Sequence, residues 1–330
     1  MKKLLSTLLI ISLTLLLFAS CGGNEDPDNT KLRIGFLSGP TGVGMAKLIN
    51  DNGGLEGNEK YAFFAPEPED PTGKAMGKLR VGEVDVICLP TTDAAEYYNT
   101  IDDTCVILSV NTLNTLFFIS DENNDIKTLS DLEGKTIYTC ENGTPKMVLE
   151  NLLKEANVNA TISTKNENGS IGSPDALKQQ IIAGAVPIAF APEPIVSASA
   201  FARSKSNKTP YSVDISCDDV WSKNCDTTLA MGCIIARASF VKNHPTVINA
   251  FLEEYKASIE YIANDSNIDS AAEYVAKAGI LPNLNVAKSA ITNLGNSIAY
   301  IDGSKMKTTL TSFYKEMGIT PPDNAFYYEK

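Results

Sequence analysis

Short apolar runs alternate with longer stretches of helical periodicity along most of the chain. In the first part of the sequence, strand-like runs lie at 32–37, 61–65 and 84–89, and amphipathic stretches lie between them at 43–50 and 72–81. Short apolar runs are typical of strands, whereas apolar positions three and four residues apart are typical of helices. Repeated strand–helix–strand units predict a mostly parallel sheet flanked by helices, and therefore an α/β fold.

The alternation is repeated in a second half of the chain. Apolar runs at 106–110 and 116–119 lead into an acidic turn, and a new series of strand and helix signals starts at Thr128. A strand at 229–236 and a helical tail follow. This order predicts two lobes, a hinge and a cleft, with crossings near residues 120 and 228. The expected parts are lobe 1 at 31–119 plus 228–330 and lobe 2 at 120–227.

The N-terminal segment predicts export. Two lysines precede an apolar run at 4–18, which has the length of a signal-peptide core and is too short to remain as a membrane helix. We expect residues 1–20 to be a cleaved signal peptide. No other stretch of the sequence is apolar and long enough to span a bilayer, so we expect membrane association by lipid alone.

Cys21 is the expected attachment point for that lipid. Ala19 and Ser20 before it resemble a lipobox, in which the cysteine thiol is diacylated, although Phe18 stands where such motifs usually have Leu. A conventional signal-peptidase site that uses the same small residues is the alternative. Residues 21–30 are polar, acidic and turn-rich, as expected of a tether that holds an extracytoplasmic protein at a bacterial membrane.

The cysteines give little sign of a disulfide framework. One of the seven is assigned to the lipid, and the remaining density is low for a chain of this length. Cys217 and Cys225 flank a short polar stretch around Trp221, and they are the best candidates for one loop-closing disulfide. The other cysteines lie in or beside apolar runs and are expected to be free core residues: Cys88, Cys105, Cys140 and Cys233.

The composition argues against several classes of function. The chain has 28 basic and 40 acidic residues, which disfavours nucleic acid as a partner. Its single histidine, His244, leaves no obvious base for a Ser–His–Asp hydrolase or a Cys–His protease. Without further histidines or a CxxC pair, no metal site and no cofactor are expected. The glycines at 39, 42 and 44 lack the Lys-Ser or Lys-Thr of a phosphate loop.

Five short segments, in a fixed order, are typical of one family. They are RIGFLSGPTG at 33–42, GEVDV at 82–86, TLSDLEGKT at 128–136, APEP at 191–194 and FLEEY at 251–255, and the third is the most specific. Together they resemble the solute-binding proteins of ABC importers for nitrate, sulfonates, taurine and thiamine precursors, over nearly the whole mature chain. The resemblance implies a two-lobed periplasmic-binding-protein-like fold, a permease partner and no catalysis.

We expect the ligand site where the strands end at the predicted cleft. In an open α/β sheet, ligands bind outside the carboxyl ends of the strands, and helix starts there offer unpaired N–H groups. This rule selects the loops after the strands, the crossing segment and the return strand. The candidate ligand-binding residues are Ser38, Gly39, Pro40, Thr41, Thr91, Thr92, Asp93, Asn111, Thr112, Asn142, Gly143, Thr144, Glu193 and Met231.

Some of these candidates have a purely structural alternative. Thr92 or Asp93 would serve as a helix N-cap, and Thr144 directly before Pro145 fits a capping role equally well. Pro40 would simply set a turn. The convergence of five loops on one crevice favours the binding role, because independent caps need not point at a common cleft.

The ligand itself is only broadly indicated. No arginine falls in the predicted loops, so a bidentate clamp for a carboxylate or sulfonate is not evident. Hydroxyl and amide groups with Asp93, Glu141 or Glu193 favour a neutral or cationic nitrogen compound, and a thiamine-precursor-like pyrimidine over a sulfonate. Two alternatives to solute capture by a monomer remain: a pyrimidine-synthesis enzyme on the same fold, and an adhesive surface lipoprotein.

Overall fold

The computed structural model of the protein describes residues 28–65, 71–101, 105–141 and 143–329. The predicted signal peptide, Cys21 and Asn142 lie outside the described residues. Lys31–Lys330 forms one compact unit. Within the described ranges, no helix combines the length and the apolar character needed to cross a membrane.

The described residues form thirteen strands, most of them short. They are β1 (Leu32–Gly35), β2 (Tyr61–Phe64), β3 (Val86–Pro90), β4 (Cys105–Thr112), β5 (Leu116–Ser120), β6 (Thr136–Tyr138), β7 (Thr161–Ser163), β8 (Lys165–Asn166), β9 (Gly169–Ser170), β10 (Ile188–Pro192), β11 (Ser212–Ser216), β12 (Gly232–Arg237) and β13 (Ile298–Ile301).

Helices separate most of these strands. They are α1 (Pro40–Val43), α2 (Ala46–Asp51), α3 (Pro71–Val81), α4 (Thr91–Ile101), α5 (Thr144–Glu155), α6 (Pro174–Ala183), α7 (Ile195–Lys205), α8 (Cys217–Asn224), α9 (Ala238–Asn243), α10 (Pro245–Ile262), α11 (Ile268–Lys277), α12 (Leu284–Leu294) and α13 (Gly303–Glu316). The predicted helix at 43–50 is instead two short helices, α1 and α2, separated by Gly44 and Met45. A Cβ at Gly44 would lie 2.6 Å from Ile259 Cγ1, so this position packs closely against α10.

The strands build two main sheets, which confirms the predicted α/β class. The first has the order β13-β4-β12-β3-β1-β2 and the second the order β11-β5-β10-β6-β7. Both sheets are mixed, so the expectation of mostly parallel sheets was wrong in detail. The reason is that β12 runs against β3 and β4, and β5 runs against β10. These are the strands by which the chain enters each sheet from the other.

The two crossings are short segments near the predicted positions. The strand β5 pairs with β10 and β11 of the second sheet, so the first crossing lies at 113–115, a few residues before position 120. The second crossing lies between the end of α8 and the start of β12, at 225–231. The chain therefore enters the second sheet with β5 after the first crossing and returns to the first sheet with β12 after the second.

Three apolar clusters form the core. One lies between the first sheet and α10, α11 and α12 and includes the fully buried ring of Phe251, and another lies between the second sheet and α6 and α7. The third is shared, because it joins Ile235 of the first sheet to Phe118 and Phe190 of the second, whose ring centroids are 4.6 Å apart. All three clusters lie between Leu32 and Tyr328, so the body from Lys31 onward contains the complete described core.

An ion cluster ties three strands of the first sheet together. Asp85, fully buried just before β3, accepts hydrogen bonds from Arg33 Nε at 2.8 Å and Nη2 at 2.7 Å, and one from the Arg237 guanidinium at the end of β12. It also accepts the backbone N–H of Arg33 at 3.0 Å. Burial alone would raise the pKa of this carboxyl, but the hydrogen bonds from both arginines outweigh burial and lower it.

The predicted disulfide between Cys217 and Cys225 is wrong. All six cysteines in the described part of the chain are free and buried, and these two lie at opposite ends of α8. The segment forms a helix rather than a loop, and eight residues of helix rise about 12 Å. A disulfide requires Cα atoms about 4.4–6.8 Å apart. Trp221, fully buried on this helix, packs in the shared core cluster with both cysteines.

The loop after β1 rests on polar side chains of β4. Asn111 donates from Nδ2 to the carbonyl oxygen of Thr41 at 3.1 Å and to the hydroxyl of Tyr255 at 2.9 Å. The hydroxyl of Thr112 lies 3.3 Å from the carbonyl oxygen of Pro40. Both side chains are buried, so these bonds satisfy them and fix the position of the loop.

A glycine at the start of β12 allows this loop to pack closely. A Cβ at Gly232 would lie 2.6 Å from Asn111 Oδ1, 2.8 Å from Thr41 Cγ2 and 3.0 Å from Thr112 Cβ. Because real side chains do not make such short contacts, any larger residue would push the loop away from the sheet.

We expect Asp85→Asn to lower the free energy of unfolding by about 3 kcal/mol, because it leaves two guanidinium groups without their carboxylate. This value is at the lower end of the free-energy cost of breaking a buried ion pair, because the side chains of Arg33 and Arg237 are 38% and 25% exposed. The native pKa is lowered, so the stability due to Asp85 is present above the pKa of an unfolded aspartate and is lost as the pH falls through the native value. Urea unfolding of the unsubstituted protein and of Asp85→Asn over a pH series measures both effects. If stability depended on pH identically in the two proteins, the role given to the Asp85 ion cluster would be contradicted.

We expect Gly232→Ala to lower the free energy of unfolding by about 1–3 kcal/mol, through overpacking against the loop. Gly77→Ala is the matched control, because nothing lies within 4 Å of a Cβ at that position in α3. The control should leave stability unchanged or raise it by up to about 1 kcal/mol, since alanine favours a helix. Urea unfolding of both variants tests this, and equal stabilities would show that the close approach does not matter.

We expect the body from Lys31 onward to contain no disulfide. Without reductant, its thiols should be unreactive towards a thiol reagent in the native state, because all six are buried, and burial raises the pKa of Cys217. After denaturation all six should react. If only four thiols reacted after denaturation, two cysteines would be joined in a disulfide and the prediction would be contradicted.

Candidate functional site

A cleft with a volume of about 610 Å³ lies at strand ends of both sheets. On one side Ser38 follows β1 and Pro90 ends β3, and on the other Gly143 precedes α5 and Glu193 follows β10. Small-molecule sites typically have volumes of about 300–1,000 Å³. The cleft is therefore large enough for a small organic molecule, and it lies where open α/β sheets place their ligands.

The structure brings nine of the fourteen predicted ligand-binding residues together in this cleft. They come from five separate stretches of sequence, and they include hydroxyl groups, backbone turns and two of the three predicted carboxylates. The nine are Ser38, Gly39, Pro40, Thr41, Asp93, Gly143, Thr144, Glu193 and Met231.

The other predicted residues that the structure describes do not line the cleft. Thr91 is fully buried, and its N–H donates to the Met231 carbonyl oxygen at 3.1 Å while its hydroxyl donates to the Ala230 carbonyl oxygen. Asn111 and Thr112 lie beneath the loop after β1 and hold it in place. Asn111 and Thr112 were expected to contact the ligand, but they support the loop instead. The Asn111 amide and the Thr112 hydroxyl already have hydrogen-bond partners within the chain.

Two threonines join the two sides of the cleft. The hydroxyl oxygens of Thr92, in the first turn of α4, and Thr144, at the start of α5, are 2.9 Å apart. One of the two donates to the other. Thr144 lines the cleft, whereas Thr92 is buried behind it, so the pair closes one edge of the cleft rather than forming its floor.

Glu193 is a buried carboxyl group in the cleft wall. Only 1% of the residue is exposed, and its Oε1 accepts hydrogen bonds from Asn293 Nδ2 at 2.6 Å and from the Ser197 hydroxyl at 2.9 Å. Its Oε2 accepts the backbone N–H of Ser197 at 3.2 Å, which caps the start of α7. Burial raises the pKa of Glu193, and these hydrogen bonds act in the opposite direction.

Asp93 is the second carboxyl group of the cleft. It lies in the first turn of α4, and the Thr92 hydroxyl is 3.4 Å from its Oδ1. Burial, together with the nearby charge of Glu96, raises the pKa of Asp93 to about 6, against hydrogen bonds from Thr92 and Thr72. At neutral pH the cleft therefore presents a mostly ionised aspartate.

The described residues that line the cleft include no lysine, arginine or histidine. Arg80 lines an adjoining groove of about 380 Å³, which shares Thr72 and Asp93 with the cleft. In the described part of the chain, no group of three or more His, Cys, Asp or Glu side chains could hold a metal ion. The charge within the cleft is therefore negative.

Several lining residues were missed by sequence reasoning. Ser173 caps α6 by accepting the N–H of Ala176 at 3.2 Å, and the Ser-Pro pair at 173–174 is a helix-start signal that could have identified it. Asn293 supports Glu193 from the last turn of α12, where nothing in the sequence distinguishes it from a surface residue. Predicted Glu141 does not line the cleft; it accepts a hydrogen bond from the Ser170 hydroxyl at 3.0 Å.

Solved structures with similar folds include several transport proteins. An ABC transporter from Parabacteroides distasonis superposes with a TM-score of 0.70 at 17% identity, over 91% of this chain and 99% of that one. The periplasmic aliphatic sulphonate binding protein SsuA from Escherichia coli gives 0.65 at 16% identity, over 91% and 92%. The periplasmic nitrate-binding protein NrtA from Synechocystis gives 0.58 at 13% identity, over 88% and 81%. At these identities the comparisons show the fold.

The sequence itself matches a family model. No curated protein matches the chain at the sequence level. The model described as NMT1/THI5 like matches residues 103–267, which is half of the chain and includes the first crossing, all of the second sheet and the return strand β12. With the two-sheet architecture and the cleft between its strand ends, this match shows that the chain belongs to the NMT1/THI5-like family and has the periplasmic-binding-protein fold.

Proposed function

We propose that the protein is the solute-binding component of an ABC importer and captures a small organic nitrogen compound in its cleft. The cleft itself is the main support, because residues from both sheets wall a volume of about 610 Å³ at strand ends. Proteins of similar fold include an ABC transporter and a periplasmic binding protein for aliphatic sulphonate. The partner would be a membrane permease that recognises the closed form.

The two sheets with their helices would act as the lobes of this device. The crossings at 113–115 and 225–231 are the two connections near which a hinge would lie, close to the predicted limits of lobe 2 at 120–227. Polar contacts such as that between Thr92 and Thr144 join the lobes at the cleft edge. Water can replace such contacts, so opening would cost little free energy.

The proposal includes a lipid anchor. Cys21 follows a signal-peptide-like run and precedes a polar tether at 21–30, so a diacylated cysteine would hold the binding domain at the outer face of a bacterial membrane. An anchored binding protein stays near its permease, which raises its effective concentration there.

The charge of the cleft favours a nitrogen compound over a sulfonate. Among the described lining residues, Asp93 and Glu193 are the only ionisable groups, and both are acids. A pyrimidine of the thiamine-precursor type offers N–H donors to such groups. A sulfonate is the second candidate, since three of the similar structures are titled sulphonate- or sulfonate-binding proteins.

We expect a thermal-shift screen of the body from Lys31 onward to give at least one hit among thiamine precursors, with alkyl sulfonates, taurine and nitrate as the competing classes. A ligand at a hundred times its dissociation constant should add about 2.7 kcal/mol of stability, which raises the melting temperature measurably.

The control for this screen blocks the cleft. Ser38 is exposed and lines the cleft, so Ser38→Trp should fill the site and abolish the shift without loss of packing. Ser304→Trp places the same side chain at an exposed position on α13, away from the cleft, and should leave the shift intact. A hit that survives Ser38→Trp would place binding elsewhere on the protein.

A further inference from the structure

Prolines occupy the helix starts that face the cleft. Pro40 begins α1, Pro145 lies in the first turn of α5, Pro174 begins α6 and Pro194 directly precedes α7, and all four line the cleft. A helix start normally attracts an anion through its free backbone N–H groups. Proline has no N–H, so each of these four starts lacks one of the donors that an anionic ligand would use.

Other donors at these helix starts are already bonded within the protein. The N–H of Ala176 donates to the side-chain oxygen of Ser173 at 3.2 Å. The N–H of Ser197 donates to Glu193 Oε2 at 3.2 Å. At the starts of α6 and α7, the protein's own oxygen atoms therefore occupy the positions that a ligand anion would need.

The carboxyl groups, in contrast, retain capacity to accept hydrogen bonds. Glu193 Oε1 has two donors, Asn293 and the Ser197 hydroxyl, but Oε2 has only the Ser197 N–H. A carboxylate oxygen can accept about two hydrogen bonds, so Oε2 has room for one more. Among the described residues, the donors to Asp93 are the side-chain hydroxyls of Thr92 and Thr72.

Among the described residues, no ion pair involves either of these two carboxyl groups. Arg80 lines the adjoining groove together with Asp93, and so does Glu96, which lies on the same helix as Asp93. Buried carboxylates are normally paired with a cation or neutralised. A cationic ligand would supply the pairing charge in place of a proton.

The cleft walls indicate which kind of cation fits. The described lining residues include no aromatic side chain, and their apolar members are Leu37, Leu116, Ile195, Met231 and several prolines. Quaternary ammonium groups, which have no N–H, are recognised through aromatic rings. A cation held by carboxylates without such rings needs N–H groups to donate.

We propose that the ligand carries a protonated amine or amidinium whose N–H groups donate to Glu193 Oε2 and to Asp93, and that the cleft rejects anions. This rests on the proposed solute-binding function and narrows its ligand class. Prolines and aliphatic side chains contact the carbon skeleton of the ligand. The cleft would then differ in charge preference from those of the sulphonate- and nitrate-binding proteins that share its fold.

The test compares probes that differ only in charge. The aminomethyl and hydroxymethyl forms of the thiamine pyrimidine are nearly identical in shape, but only the first is a cation at neutral pH. The panel adds propylamine, propyltrimethylammonium and propane sulfonate. Calorimetric titration of the body from Lys31 onward should rank each primary amine above its neutral, quaternary and sulfonate counterparts by at least about tenfold in affinity.

Variants assign the effect to the two carboxyl groups. Glu193→Gln and Asp93→Asn keep shape and should each weaken amine binding by about tenfold or more, while they leave a neutral probe nearly unaffected. Glu273→Gln, at an exposed position on α11, is the matched control and should change nothing.

Two results would overturn the inference. Tighter binding of propane sulfonate or nitrate than of the amines would refute the charge preference but leave the solute-binding function standing. Equal binding of the aminomethyl and hydroxymethyl forms, unchanged in Glu193→Gln and Asp93→Asn, would show that the carboxyl groups do not select the ligand.

Discussion

The double crossing of the chain between its two sheets is the constraint on which the cleft depends. At the first crossing, the N–H of Leu113 donates to the Ser297 carbonyl oxygen at 2.7 Å, beside the first sheet, and Asn114 Nδ2 donates to the Ser216 hydroxyl at 2.9 Å, beside the second. The two crossings, at 113–115 and 225–231, hold strand ends of both sheets close together. A ligand site with walls from both halves of the chain follows directly, because loops at these ends face the same gap.

Support for the cleft comes from the layer beneath it. The loop after β1 is held against the first sheet by the hydrogen bond from Asn111 to the Thr41 carbonyl oxygen. Gly232 has no side chain, so the loop can approach the sheet closely there. The carboxyl group of Glu193 is held in the same way, by Ser197 on its own helix and by Asn293 from the first-sheet side. Lining residues thus depend on partners that do not themselves line the cleft, which keeps the wall rigid.

The electrostatics of the site follow from where the helices begin. Several helices start at the cleft, and their dipoles would favour an anion if their N–H groups were free. Prolines remove some of those groups, and the Glu193 carboxylate itself caps α7. The same residue therefore both stabilises a helix start and places a carboxyl group in the cleft wall. The fold is shared with anion-binding proteins, but the chemistry of this cleft is set by its own side chains.

Local patterns in the sequence determined the α/β class, the positions of most strands and the loops that follow them, because apolar periodicity and turn residues act over a few neighbouring positions. Nine candidate residues met in one cleft for that reason, since strand ends are visible locally and ligands bind beyond them. The tertiary structure alone decided the antiparallel entry of β5 and β12, the free state of Cys217 and Cys225, and the pairing of Asn293 with Glu193. Each of these depends on which distant segments pack side by side, and no local pattern encodes that choice.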